Sequence, residues 1–293
     1  MSTTTLPAPA KINLLLAVTG RRADGFHDLV SIAAPLAWGD TVTVEAGGDS
    51  FSVECDDPTV PVDASNLVIR AAQAFAGASG WRGGARFAIE KRIPAGAGLG
   101  GASSDAASAL MALNELAGSP LDEPGLARVA SEVGSDCPLF LAKGPVVMRG
   151  RGERVEPLPR EAYQRIRGMR VLVFKPGLAI PTPWAYASLA AGAPPGYVAP
   201  SKAEARLAAW IANPRAKAED ILFNSMEGPA FAKFAALPCL LERIRRFGLA
   251  AGMSGSGSAC FALLKERTSA APLVGEIREA WGPSAFVVEA RIA

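Results

Sequence analysis

A glycine-rich segment carries the strongest chemical signal in the sequence. Residues 94–108 read Pro-Ala-Gly-Ala-Gly-Leu-Gly-Gly-Ala-Ser-Ser-Asp-Ala-Ala-Ser, with four glycines in six positions and an Ala-rich run after them. Glycine lets successive backbone N–H groups turn toward one point, because no Cβ stands in the way. The helix expected after the glycines adds unpaired N–H donors and the positive end of its dipole. The pattern therefore predicts an anion site for the phosphates of a nucleotide, and with the other motifs it indicates transfer of the terminal phosphate.

Two familiar phosphate-binding motifs provide alternatives to this interpretation. Gly96, Gly98 and Gly101 fit the dinucleotide fingerprint G-x-G-x-x-G. A dinucleotide fold, however, needs a strand after the helix that ends in an acid about 20 residues beyond the glycines. A second helix is predicted there instead, over residues 122–133. The dinucleotide-binding oxidoreductase is the weaker alternative, and the P-loop is excluded because no lysine follows the glycines.

Ser103 and Ser104 end the glycine-rich segment at the expected start of the helix. A hydroxyl at that position can cap the helix by accepting a backbone hydrogen bond. It can also contact a phosphate or bind the Mg²⁺ that nucleotide chemistry requires. The residue types leave these roles open, and two of them can coexist.

Composition limits the classes of protein to consider. The chain has 293 residues, which is room for two domains of ordinary size. A net charge of +2 without a dense basic cluster argues against a nucleic-acid surface. Four scattered cysteines without a Cys-x-x-Cys pair favour reduced thiols over disulfides or zinc. The single histidine, His27, excludes multi-histidine metal sites, and a hard-cation site built from oxygen ligands remains open.

The sequence shows no targeting or membrane signal. The apolar stretch at residues 14–18 is too short for a signal peptide and is followed by Gly-Arg-Arg. No segment approaches the ~20 apolar residues that a membrane span needs. We therefore expect a cytoplasmic protein with no membrane partner.

The glycine-rich segment resembles the second signature of the GHMP kinases. Residues 10–14 (Ala-Lys-Ile-Asn-Leu) and 19–27 (Thr-Gly-Arg-Arg-Ala-Asp-Gly-Phe-His) are similar to the branch that phosphorylates 4-diphosphocytidyl-2-C-methyl-D-erythritol. The similarity continues at Asp40, Asn66-Leu67, Gly134–Pro138 and Gly252–Gly257. These signatures span positions 9 to 257, nearly the whole chain.

The resemblance implies ATP-dependent phosphorylation of the 2-hydroxyl of that cytidyl diphosphate substrate, with Mg²⁺, in the non-mevalonate isoprenoid precursor pathway. It assigns Asp136 to orienting or deprotonating the attacking hydroxyl and Lys11 to pairing with Asp136 and stabilising the alkoxide. The residues alone favour a different interpretation, with Asp136 as the cap of a short helix and Lys11 as a solvated lysine on a strand. A homoserine or mevalonate kinase is the alternative within the superfamily, but it gives no reason for an aromatic and a histidine that read cytosine.

The same resemblance assigns the binding residues. Those for ATP are Pro94, Ala95, Gly96, Ala97, Gly98, Leu99, Gly100, Gly101, Ala102, Ser103, Ser104, Asn66 and Lys91. Those for the substrate are Asn13, Phe26, His27, Thr182, Tyr186, Gly255, Ser256 and Gly257. No metal ligand is assigned.

Within the substrate group, His27 would read the cytosine edge, and Phe26 and Tyr186 would stack on the two faces of the base. Many relatives carry Tyr at the position of Phe26. Thr182 would contact the diphosphate. Asp105 stands where relatives often have Asn, and we expect it to place favourable charge in the first turn of its helix.

Hydrophobic periodicity predicts the elements that position these residues. In the first strand, Ile12, Leu14, Leu16 and Val18 would share one face, opposite Lys11 and Asn13. The further expected strands are 26–36, 41–45 after a turn at 38–40, 86–93, 146–148, 171–174, 259–264 and 285–290. The expected helices are 67–75, 105–116, 122–133, 203–211, 220–234, 240–247 and 273–281, and residues 177–200 read as an irregular excursion.

Strands and helices mix without strict alternation, which predicts an α+β fold. The sequence pattern changes near residues 157–167, and we place the domain boundary there. This gives an ATP-binding domain at 1–158 and a substrate-binding domain at 159–293. The resemblance implies a ribosomal-S5-like fold for the first domain and a ferredoxin-like fold for the second. We expect a monomer or a weak homodimer.

Overall fold

Two long antiparallel strands frame the N-terminal half. In the computed structural model, which describes residues 2–192 and 196–293, β1 (Thr3–Arg21) pairs with β2 (His27–Ala46) along most of its length. β2 continues through residues 38–40, so the predicted turn there is wrong. A Cβ at Gly39 would lie 2.2 Å from the Ala8 carbonyl oxygen. Gly39 therefore lets the two strands approach closely and does not mark a chain reversal.

The alternation of side chains between the two faces of β1 reverses just after Asn13, where the pairing with β2 shifts register. Ile12 and Leu14 lie in one buried cluster, whereas Leu16 and Val18 lie in another. The prediction that these four side chains share one face is therefore wrong, because a bulge inserts a residue and reverses the alternation.

The other elements of this half complete one sheet and cover it with helices. The strands are β3 (Phe51–Cys55), β4 (Ala85–Glu90), β5 (Val146–Arg149) and β6 (Arg154–Pro157). The helices are α1 (Leu67–Ser79), α2 (Gly101–Leu116) and α3 (Glu123–Val133), followed by a short 3-10 helix (Cys137–Leu141). The predicted helices at 67–75 and 122–133 are confirmed. Asn66 caps α1 through Val68 N–H, and Asp122 caps α3 through Gly125 N–H.

Helix α2 begins four residues earlier than predicted. Its N-cap is Gly100, whose φ of +77° lies in the left-handed region, and no side chain caps it. The expectation that Ser103 or Ser104 caps the helix is therefore wrong. Asp105 lies in the second turn, so its predicted place in the first turn is also wrong.

The C-terminal half contains a second, smaller sheet. Its elements are α4 (Arg160–Ile166), β7 (Arg170–Lys175), α5 (Thr182–Ala191), α6 (Pro200–Ala212), α7 (Ala218–Ile221), β8 (Phe223–Asn224), α8 (Glu227–Lys233), α9 (Ala236–Arg245), β9 (Ala251–Met253), β10 (Cys260–Leu264), α10 (Ala271–Trp281) and β11 (Phe286–Arg291). The antiparallel sheet has the order β11-β7-β10-β9. The strands predicted at 171–174, 259–264 and 285–290 are confirmed, as are the helices near 203–211, 240–247 and 273–281 with shifted ends.

Two predictions in this half need correction. Part of the expected irregular excursion is helix α5, which Pro183 in its first turn helps to start; residues 193–195 of that excursion lie outside the described residues. The helix expected at 220–234 is interrupted by β8. This short strand is fixed by pairing with the distant strand β1, which local sequence does not encode.

Strand β8 joins the two halves. It pairs in parallel with β1, matching Phe223 with Leu15 and Asn224 with Leu16. The larger sheet therefore runs β3-β4-β2-β1-β8, with β5 paired to β2 and β6 paired to β5. The Ser225 hydroxyl accepts a hydrogen bond from Val18 N–H at 3.0 Å. The predicted α+β class is confirmed. The boundary at residues 158 and 159 remains our proposal, with β8 as the element that crosses back.

No helix in the described part of the chain combines the length and the apolar character needed to cross a membrane.

Candidate active site

A cavity of about 1090 Å³ opens where the two halves meet. Its walls come from β1, the glycine-rich segment, the start of α2, the turn at Asp136, helix α5 and the loop after β9. Sites for a single small molecule usually occupy about 300–1,000 Å³. The volume of the cavity therefore lies just above the range that is usual for one small molecule.

The glycine-rich segment alternates between two kinds of residue. Gly96, Gly98 and Gly100 have φ values of +59°, +76° and +77°, the left-handed region that residues with a Cβ rarely adopt. Between them, the side chains of Ala97 and Leu99 are buried in the core. The glycines thus turn the backbone along the cavity wall while the intervening side chains anchor it.

Backbone hydrogen bonds tie this segment to both halves. The Leu99 carbonyl accepts from Lys11 N–H of β1 at 2.9 Å, and the Ala97 carbonyl accepts from Ala259 N–H at 3.0 Å. Gly98 packs directly on the loop after β9, because a Cβ there would lie 2.3 Å from the Ser254 carbonyl oxygen. The position of the loop is therefore set by contacts from both halves.

The start of α2 faces the cavity. Its first N–H groups have no helical carbonyl before them and carry the positive end of the helix dipole. Ser103 lines the cavity, but Ser104 does not. Ser104 is fully buried, and its hydroxyl has no hydrogen-bond partner among the described residues. The loop and helix start together fit phosphate oxygens, with Ser104 outside the cavity wall.

Lys11 and Asp136 meet beside the glycine-rich segment. Lys11 Nζ lies 3.8 Å from Asp136 Oδ2, with the lysine side chain 5% exposed and the aspartate 39% exposed. Burial lowers the pKa of Lys11, and the charge of Asp136 opposes this shift. Asp136 precedes the short 3-10 helix but does not cap it with its side chain, so the capping alternative is wrong. The carboxylate is left open toward the cavity.

A chain of hydrogen bonds fixes the amide of Asn13. Lys11 Nζ donates to Asn13 Oδ1 at 2.6 Å, and Asn13 Nδ2 donates to Ser31 Oγ at 2.9 Å. Ser31 in turn donates to the Leu15 carbonyl at 2.6 Å. The orientation of Asn13 follows from this chain, and the Lys11 ammonium is held between Asn13 and Asp136. Lys11 is thus a buried cation, and the solvated alternative is wrong.

A buried ion cluster borders the start of α2, where a Cβ at Gly101 would lie 3.1 Å from Lys91 Nζ. Lys91 Nζ donates to a carboxylate oxygen of Asp40 and, at 2.8 Å, to Asp105 Oδ2. Burial raises the pKa of Asp105 to about 7, the charge of Lys91 opposing the rise and that of Asp40 adding to it. Burial acts to lower the pKa of Lys91, but the two carboxylates outweigh it and the pKa is raised. Lys91 therefore compensates the negative charge of the buried Asp105 and Asp40.

The predicted base-binding residues line the cavity from the start of β2 and from α5. The rings of His27 and Tyr186 are 4.8 Å apart, and Phe26 is 47% exposed. Burial, aided by the charge of Arg21, lowers the pKa of His27. Nε2 of His27 is buried without a hydrogen-bond partner among the described residues. The imidazole and the Tyr186 ring pack together on the cavity wall, where aromatic faces suit a base.

The loop after β9 completes the wall. Asn224 Nδ2 donates to the carbonyls of Met253 and Gly255 at 2.8 and 2.9 Å. The hydroxyls of Ser256 and Thr182 are 2.9 Å apart. Gly255 and Ser256 line the cavity, whereas Gly257 does not, because it packs against Met253.

The structure gathers nearly all of the predicted site residues around one cavity, Ser104 and Gly257 excepted. Sequence reasoning missed Arg21 and Arg151, and it missed the loop at 59–61 beside Asn66. The Gly-Arg-Gly turn around Arg151 marks a tight turn in the sequence. Nothing local shows that this turn reaches the cavity.

Comparisons with known proteins agree with this geometry. The family model for the GHMP kinases N terminal domain matches residues 66–144, and the model for the GHMP kinases C terminal matches residues 209–283. A 4-diphosphocytidyl-2-C-methyl-D-erythritol kinase of Thermus thermophilus is 40% identical over 276 residues, 94% of this chain and 92% of that one.

Solved structures show the same relationship. A crystal structure of 4-(cytidine 5'-diphospho)-2C-methyl-D-erythritol kinase superposes with a TM-score of 0.76 at 38% identity, covering 98% of this chain and 99% of that chain. A homoserine kinase from Cytophaga hutchinsonii reaches a TM-score of 0.75 at 17% identity, with coverage of 100% and 95%. The second match shows the fold alone.

Proposed function

The chain belongs to the GHMP kinases, in the family of the 4-diphosphocytidyl-2-C-methyl-D-erythritol kinases, and we propose that it transfers the terminal phosphoryl group of ATP to the 2-hydroxyl of that substrate. This reaction belongs to the non-mevalonate route to isoprenoid precursors. The observation that carries the mechanism is the Lys11–Asp136 pair, 3.8 Å apart, in the same cavity as the glycine-rich segment.

Phosphoryl transfer leaves the protein mainly positioning and charge stabilisation to do. In our proposal, N–H groups of residues 96–103 hold the phosphates of ATP at the start of α2. Asp136 orients the acceptor hydroxyl and takes its proton. Lys11, whose burial keeps water away, stabilises the oxygen as it becomes negative. The hydroxyl is tertiary and hindered, so alignment matters more than the strength of the base.

We propose that Mg²⁺ accompanies ATP. Mg²⁺ keeps several waters and is usually held by one or two carboxylates together with substrate phosphates. The described residues gather no group of three or more histidine, cysteine or acidic side chains into a metal cluster. Ser103 lines the cavity at the start of α2, and its hydroxyl fits an ion that arrives with the nucleotide. When bound, the ion would neutralise part of the phosphate charge.

The base-binding end separates this function from the other members of the superfamily. We propose that His27 reads cytosine while Phe26 and Tyr186 stack on it, and that Thr182 contacts the diphosphate. Asn66 and Lys91 also line the cavity, and we propose that they border the adenosine of ATP. A homoserine or mevalonate kinase has no use for a neutral histidine between aromatic rings.

We also propose that the protein is cytoplasmic, acts on small molecules without nucleic-acid or membrane partners, and is a monomer or weak homodimer. Light scattering coupled to size-exclusion chromatography measures the oligomeric state directly. A stable tetramer would contradict this part of the proposal.

The test of the function measures ADP release from ATP with the cytidyl substrate, with mevalonate and with homoserine. We expect turnover with the first alone. Asp136→Asn should lower kcat by about 10²–10⁴-fold, the contribution of a positioned general base, while ATP binding is kept. Asp49→Asn, at an exposed acid outside the cavity, is the matched control and should leave kcat unchanged. Hydrolysis without any alcohol, or equal rates on mevalonate, would remove the assignment.

A further inference from the structure

The cavity has cationic side chains with unequal freedom to bind an anion. Lys91 is held by two carboxylates, and Lys11 lies between Asn13 and Asp136. Arg21 and Arg151 also line the cavity, and neither forms an ion pair within 4.0 Å in the described part of the chain. These two arginines therefore supply the positive charge that the protein itself does not neutralise.

Arg151 is held in place by three contacts. Its guanidinium carbon lies 4.8 Å from the centre of the Phe26 ring, and Nη2 donates to the Ser131 carbonyl at 3.1 Å. Its backbone N–H donates to Glu153 at 2.7 Å. The nearby carboxylate of Asp24 is already bound by Nε of Arg22 through both oxygens, at 3.2 and 3.0 Å. The other N–H donors of the Arg151 guanidinium are therefore available to a ligand.

The turn that carries Arg151 also contacts Asp136, the proposed general base. A Cβ at Gly152 would lie 3.3 Å from the Ser135 carbonyl oxygen and 3.7 Å from Asp136 Oδ1. Arg151 thus lies on the wall between the exposed ring of Phe26 and the carboxylate of Asp136. Arg21 lies on β1 beside His27 and is exposed, on the base side of the cavity.

The position of Arg151 matches the path expected for the diphosphate of the substrate. Its diphosphate joins the cytidine to the alcohol, so a base at Phe26 and a hydroxyl at Asp136 force the diphosphate to pass along the wall between them. A guanidinium matches phosphate oxygens with paired N–H donors, and stacking on an aromatic ring orients its plane. We propose that Arg151 binds the diphosphate of the cytidyl substrate and thereby sets the position of the acceptor hydroxyl. This inference rests on the function proposed above.

The test compares two probes that differ only in the diphosphate, cytidine and cytidine 5'-diphosphate, by titration calorimetry. A charge-assisted hydrogen bond contributes about 1.5–3 kcal/mol, so Arg151→Gln should weaken binding of the diphosphate by about 10–150-fold. Binding of cytidine should change by less than about threefold, and Arg151→Lys should restore part of the loss. Arg21→Gln, at the other cation without an ion pair, is the matched control and should cost the diphosphate clearly less.

Turnover provides the second readout. Arg151→Gln should raise KM for the cytidyl substrate and leave KM for ATP unchanged. Equal losses for cytidine and its diphosphate, or equal losses in the Arg21 and Arg151 variants, would overturn the inference and leave the function standing. A wild-type protein that binds neither probe and does not turn over the cytidyl substrate would overturn both. Circular dichroism of each variant checks that a loss reflects binding and not unfolding.

Discussion

Alanine substitutions at Gly96 and Gly98 separate backbone strain from steric contact in the phosphate-binding segment. Both residues have positive φ, so a Cβ costs each about 1–2 kcal/mol of stability. A Cβ at Gly96 would meet Ala179 at an ordinary 3.7 Å. A Cβ at Gly98 would lie 2.3 Å from the Ser254 carbonyl oxygen, whereas ordinary contact begins at 3.4 Å. The Gly98 variant must therefore push the two loops about 1 Å apart.

This displacement has a measurable effect on catalysis. A 1 Å misplacement of positioning groups can cost about 10²-fold in rate. We expect Gly98→Ala to lower kcat/KM for ATP by about 100-fold and Gly96→Ala by less than about 10-fold. Gly98→Ala should also melt at a lower temperature than Gly96→Ala, because the two share the cost of positive φ and only the Gly98 variant adds the contact with Ser254. ADP release and thermal unfolding measure the two quantities. Activities within threefold of each other would refute the argument that contact with Ser254 positions the loop.

Three further substitutions test the charges and rings of the site. Lys11→Met keeps the packed stem but removes the ammonium, and kcat should fall by about 10²–10³-fold in the ADP-release assay. Tyr186→Ala removes a ring worth about 1–3 kcal/mol in base stacking, so KM for the cytidyl substrate should rise about 5–150-fold while KM for ATP stays constant. Burial raises the pKa of Asp105 from 3.8 to about 7, so the folded chain keeps a proton that the unfolded chain releases, and the free energy of unfolding falls with rising pH between these values. Asp105→Asn removes this titration, and urea unfolding should show a larger decrease for the wild type than for the variant between pH 4 and pH 7.

Each of these expectations has a contradicting result. A Lys11→Met variant with wild-type kcat would mean that the buried ammonium has no part in the transfer step. Equal increases in both KM values for Tyr186→Ala would place the ring outside a base site. Parallel pH profiles for wild type and Asp105→Asn would show that Lys91 keeps the carboxylate ionised throughout this range.

Local signals predicted those parts of the fold that local interactions determine. Asn66 and Asp122 cap their helices from the adjacent position, so the starts of α1 and α3 could be predicted. The glycine-rich segment was predictable for the same reason, since positive φ is a property of single residues. The start of α2 was not, because Gly100 packs on Phe140 and Lys11, which are distant in sequence.

The electrostatic partners in the site depend on tertiary structure and could not be found in the sequence. Lys91 is 51 residues from Asp40, and their contact exists because β2 and β4 are neighbours in the sheet. Arg151 reaches the cavity because its turn lies against Asp136. The resemblance located Lys11 and Asp136 together, but their distance and burial came from the fold.

Because β8 pairs in parallel with β1, the two halves of this enzyme depend on each other for their structure. Asn224, which takes part in that pairing, donates a hydrogen bond to the Gly255 carbonyl. Gly255 in turn packs beside Lys11, because a Cβ there would lie 3.3 Å from Lys11 Nζ. A fragment that ends at residue 158 would expose an unsatisfied edge of β1. It would also lack both Asn224 and the loop that Asn224 holds. The halves should consequently regain turnover only by reassembling with each other, as split-enzyme complementation does, and neither should work as a transplantable module.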